Sequence, residues 1–88
     1  MPVKKLHKDL EKLRFEIDNV AADDHESREK LNRLISDLET KLENPDDEKH
    51  HQSLLLDLKA SIGHFEAEYP RATAILNDIM VTLSNMGI

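Results

Sequence analysis

The sequence of 88 residues has no cysteine and no tryptophan. Disulfides and thiolate metal sites are therefore excluded. Its aromatic side chains are one tyrosine and two phenylalanines, and its two glycines both fall late in the chain. No glycine-rich phosphate loop can be built from them. No apolar run approaches the roughly 20 residues that span a bilayer. The opening MPVKKLHKDL lacks the apolar centre of a secretory signal. No stripe of Lys and Arg follows any helical face, which argues against binding along a phosphate backbone. The expectation is a soluble, cytoplasmic protein with neither a membrane nor a nucleic-acid partner.

What is present is charge and helix-forming side chains. Charged residues make up 34% of the chain, and the formal net charge is −6. The distribution is uneven: residues 21–50 carry −5, whereas residues 69–88 carry only Arg71 and Asp78. Leu, Glu, Lys and Ala favour helix. A chain this short buries only about 60–65% of its unfolded surface, so well-packed helices or oligomerisation must supply stability.

Apolar residues fall into seams with three-four spacing. Val3, Leu6, Leu10, Leu13, Ile17 and Val20 form the first, predicting a helix over 2–19. Phe15 lies off that seam and points to a second contact face on the same helix. Asp23 with Glu26 fits a capping box, with Asp24 as another candidate cap, for a helix over 24–43. Its core face reads Leu31, Ile35, Leu38 and Leu42, widened by Leu34. Glu26–Lys30, Glu29–Arg33 and Asp37–Lys41 are expected as i, i+4 pairs on a solvated face. Asn44-Pro45-Asp46-Asp47-Glu48 punctuates the chain, with Asn44 as a cap and Pro45 at the first helical position of a helix starting near Pro45–Glu48, over about 46–68. The short connections make neighbouring helices antiparallel. That places Lys4, Lys5 and Lys8 beside Glu39, Glu43 and Asp46–Glu48.

The longest seam runs Leu55, Leu58, Ile62, Phe65, Tyr69, Ala72, Leu76, Ile79, Leu83 and Met86, in phase straight through Pro70. Leu56 cannot share it with Leu55 and should project toward a second surface. Gly63 is a candidate for close approach of another helix. Pro70 either kinks one long helix or opens a new one over 70–86. The unbroken phase favours the kink, or a short break with the two halves nearly collinear. Gly87 suits a left-handed helix cap, with Ile88 folding back.

This layout resembles a bacterial domain-of-unknown-function family, number 4404, of small acidic all-helical proteins. The resemblance rests on a leucine-rich first helix, an acidic capped turn, Phe65-Glu66-Ala67 leading to Pro70, and the closing Leu83-Ser84-Asn85-Met86-Gly87-Ile88. It implies a small all-α cytoplasmic protein and carries over no catalytic residue.

The residues themselves offer little chemistry. His50 and His51 are adjacent and diverge by about 100° on a helix, so they cannot share one ion. Glu48 and His51 make a single Glu-x-x-His, at a helix start expected to be exposed, and every inferred core position is apolar or small. His7–Glu11, His25–Glu29 and His64–Glu68 read as surface pairs, or as a pH-sensitive interface if a subunit contact covers them. Serines lie in helical pattern without a strained turn. Tyr69 is expected to pack its ring in the core with its hydroxyl at the rim. No catalytic residue, metal ligand or cofactor is expected.

The expected architecture is an all-α antiparallel bundle: an N-terminal hairpin on a long C-terminal helix kinked or broken at Pro70, completed by dimerisation. Leu54, Leu56, Ile75, Met80 and Phe15 exceed what a three-helix core uses. The expected function is a non-enzymatic interaction or assembly module, a homodimer with room for a further protein partner. Its expected interface is Tyr69, Ala72, Ile75, Leu76, Ile79, Met80, Leu83 and Met86. The rival is a small-molecule or metal site in a dimer cavity near Tyr69 and His64.

Overall fold

Leu6, Leu10 and Leu13 recur on one side of the first segment, and the chain coils there as α1, Pro2–Glu16, with all three buried. A 3₁₀ turn over Ile17–Asn19 ends it, and Val20 closes the turn from inside. The computed structural model describes residues 2–86, so Gly87 and Ile88, expected as a helix cap, lie outside the described residues.

Helix α2 spans His25–Glu43 and is capped by Asp24, whose carboxylate accepts the amide N–H of Ser27 at 3.1 Å. Of the two candidate caps, Asp24 is used and Asp23 is not. Asn44 ends α2 by donating its backbone N–H to the Thr40 carbonyl at 2.9 Å. Pro45 and Asp46 form a turn outside both helices, so Asn44 and Pro45 lie too far back to start the next helix. Asp47 does that instead, accepting the His50 amide at 3.1 Å, and α3 runs Glu48–Phe65.

Pro70 opens a fourth helix, α4, Pro70–Met86. Residues 66–68 form a turn and Tyr69 stands outside both helices. Pro70 takes the first helical position, where a missing N–H costs nothing. The favoured kink is thus corrected to a break, and the halves are not collinear, because α4 folds back on α3 and packs most extensively on α1. A collinear helix would leave Ala72, Leu76, Ile79 and Leu83 in water; folding back buries all four.

The helices form a ring in which each packs its neighbours in sequence and α4 closes on α1. Short connections make the neighbours antiparallel. The interior is filled by leucines of all four helices together with Phe65 and Ile79. The radius of gyration, 12.2 Å, matches about 12 Å for a compact chain of this length. The core therefore closes within one chain.

The fourth helix explains why Leu54, counted as surplus to a three-helix core, is buried. Leu56 does project outward, and Val3, assigned to the first seam, is 46% exposed at its start. Gly63 marks no close approach: a Cβ there would meet nothing within 4 Å.

Candidate functional site

Two polar knots and one apolar surface stand out from the bundle. The first knot ties one end together. Asp24 accepts the Tyr69 hydroxyl at 2.8 Å and the Ser27 hydroxyl at 2.8 Å. Ser27 Oγ also lies 3.0 Å from His64 Nε2. Because the Ser27 proton goes to a carboxylate that can only accept, the His64 ring must donate its Nε2–H to Ser27 Oγ. Serine, histidine and aspartate are thus adjacent, but the bonds run from His64 to Ser27 to Asp24. The histidine is not placed to take the serine's proton, and Ser27 is buried. His64 packs edge-on to Phe65, and Phe65 to Tyr69.

This knot joins the α1–α2 connection to the start of α4, while also serving as the cap of α2. The Tyr69 hydroxyl, followed by the Ser27 hydroxyl and amide, holds the Asp24 carboxyl below its ordinary range. Its bond to that carboxylate, aided by burial, pushes the Tyr69 phenol up. His64 therefore serves Ser27 across the α2–α3 interface rather than the Glu68 expected from spacing.

The second knot lies at the opposite end. Lys41, assigned to a solvated pair with Asp37, is only 1% exposed and donates to the Pro45 carbonyl at 2.7 Å. Burial lowers its pKa, against the opposing pull of Asp46 and Asp47. His51, assigned to an exposed helix start, is 3% exposed, and its Nδ1 has no partner among the described residues. Burial, then the charges of Lys41 and His50, lower its pKa. Among the described residues no three His, Cys, Asp or Glu side chains gather as a metal site.

Asp9 is a third buried polar group that spacing did not reveal. Its carboxylate accepts from Lys5 at 3.1 Å, and the Thr82 hydroxyl shares its one proton between this carboxylate at 3.3 Å and the Asp78 carbonyl at 2.9 Å, where α1 meets α4. The expected lysine pairs with Glu39 and Glu43 are absent among the described residues. Arg14 reaches Glu39 at 2.7 Å instead. Helical side chains lean toward their own N-terminus, so on antiparallel helices Arg14 and Glu39 lean toward each other.

The apolar surface surrounds α4. Of the eight residues expected at an interface, Ala72, Leu76, Ile79 and Leu83 are used by the chain's own core. Tyr69, Ile75, Met80 and Met86 are half-buried at its margin. Two open grooves flank the helix. Between α3 and α4, Gln52, Leu55, Leu56, Lys59, Met80 and Ser84 line one; between α1 and α4, Lys12, Phe15, Glu16, Arg71, Ala74 and Ile75 line the other. Val81 stands on the ridge between them. Phe15 is 78% exposed, Leu56 69% and Val81 59%. Neither groove is lined by Tyr69 or His64, which are engaged in the first knot.

A closed ring of four antiparallel helices with internal polar ties defines a small all-α bundle protein. The chain belongs to the family described as a domain of unknown function, DUF4404, whose model matches residues 6–88. No curated protein and no solved structure matched it. Among the described residues no helix is long and apolar enough to cross a membrane.

Proposed function

We propose that this chain is a non-enzymatic interaction or assembly module working through the outward side of α4. One observation carries this reading. Phe15, Leu56 and Val81, large apolar side chains left in water, stand on α4 or on the walls of its two grooves. The last twenty residues, which supply the centre of that surface, carry only Arg71 and Asp78. Large apolar side chains exposed around one helix support a contact site there. The simplest form of the assembly is a homodimer, and a partner's amphipathic helix is the other occupant of matching shape. The acidic balance supports a role away from nucleic acid. The rival reading, a small-molecule or metal site at Tyr69 and His64, has less support, because both side chains are committed to Asp24 and Ser27.

The test compares tagged native chain with a Phe15→Glu, Leu56→Glu, Val81→Glu chain, each recovered from its own cells. The expected result is a stoichiometric companion, another protein or an untagged copy of the chain, that the native chain holds and the variant loses. A native chain that elutes alone and scatters light as 10.1 kDa at high micromolar concentration ends the reading.

A further inference from the structure

We infer that the α1–α4 groove seats a second copy of this chain about a two-fold axis, with Phe15 as the knob and Ala74–Ile75 as the hole. This rests on the reading of the α4 side as an association surface, and it selects between the two grooves and between the two kinds of partner.

A two-fold interface requires one patch to complement itself. The α1–α4 groove meets that requirement in shape. Phe15 stands 78% exposed on one wall, and Ala74 and Ile75 line the same groove from the other helix. It also meets it in charge, since Glu16 lines the groove with Lys12 and Arg71. Among the described residues none of these three has an ion-pair partner in its own chain. Rotation about the axis brings Glu16 to Arg71 of the partner subunit, twice over. The first turn of α4 contains no acidic residue, so a carboxylate arriving there also meets the positive end of a helix. The α3–α4 groove has only one charged residue, Lys59, and self-pairing would set two lysines together.

A long face of a bundle measuring 37 × 21 × 19 Å is of the order of the roughly 800 Å² that a stable interface covers on each partner, so the contact must extend beyond the groove along α1 and α4.

Sedimentation equilibrium on the full chain tests the inference. The native chain should weigh twice 10.1 kDa at micromolar concentration. Phe15→Glu should raise the dimer Kd at least about tenfold, as loss of a central aromatic does, while the circular dichroism spectrum stays native. Glu16→Arg and Arg71→Glu should each weaken the dimer alone. Mixed together they should restore it as a heterodimer, because each interface pair again joins opposite charges. Retention of the dimer in Phe15→Glu, or failure of the mixture to recover, overturns the inference. Dissociation by Leu56→Glu but not by Phe15→Glu would move the seat to the α3–α4 groove, leaving the association reading intact. A native chain that is monomeric yet holds another protein through Leu56 and Val81 sinks the inference alone.

Discussion

His51 is a titratable side chain closed off from water at one end of the bundle, beside a buried lysine. Its folded pKa lies below the ordinary 6.5, so as pH falls the unfolded chain binds this proton first. Stability held in full above about pH 6.5 is therefore lost as pH falls through that value toward the folded pKa. Urea midpoints should drop between pH 7.5 and 5.5, and His51→Leu should flatten that dependence. An equally steep profile in the variant would show that the histidine is not its source. Gly63 makes the opposite prediction. It sits in α3 with open space where a side chain would go. Gly63→Ala should stabilise by about 1 kcal/mol, raising Tm by roughly 4–8 °C for a domain of this size. His51, Ser27 and Lys41 also show why some of the interior was hidden from the sequence. The buried rows are Ser27-Leu31-Leu34-Leu38-Lys41 and His51-Leu54-Leu58-Ser61-Phe65. Both keep the three-four spacing of the leucines, so extending it through polar residues would have found them. A reading that accepts only apolar members instead settles on Ile35, Leu42, Leu55 and Ile62, which turn out to flank the core.

At the scale of the element, capping decides where helices begin, and the two side-chain caps are unequal. Asp47 caps α3 on an exposed turn, and among the described residues its side chain bonds the His50 amide alone. Asp47→Ala should cost about 1 kcal/mol, the ordinary value of a cap. Asp24 caps α2 and at the same time receives Tyr69 and the Ser27 side chain. Asp24→Ala should cost more than Asp47→Ala by chemical denaturation. Combining Asp24→Ala with Tyr69→Phe should cost less than the two separately, because each removes the same bond. Strict additivity would mean that the Tyr69 bond contributes nothing. The break at Pro70 was only half legible. Heptad phase reports which side of a helix is apolar, and that side is the same whether the chain continues or reverses. What reverses it is the affinity of α4's apolar side for α1, a contact between residues more than sixty positions apart, as Asp9 and Thr82 show.

Over the whole molecule, the all-helical class and the antiparallel hairpins followed from spacing and punctuation. The number of helices around the core did not, and it decides the outward face. Counting three helices left Leu54, Ala72, Leu76, Ile79 and Leu83 for a partner; a fourth takes them inside. The surface that remains is narrower and rests on Phe15, Leu56 and Val81 beside the half-buried Ile75 and Met80. The ring is completed by its first and last helices, which share its most extensive contact. During synthesis, Leu6, Leu10 and Leu13 therefore lack their partners until α4 has been made. Until then a three-helix intermediate presents an apolar trough to whatever chaperone is near. A chain stopped at Glu68 should show no cooperative thermal transition, and supplying residues 69–88 as a separate peptide should restore one. Assembly of this fold should thus be timed by α4, the helix made last of the four.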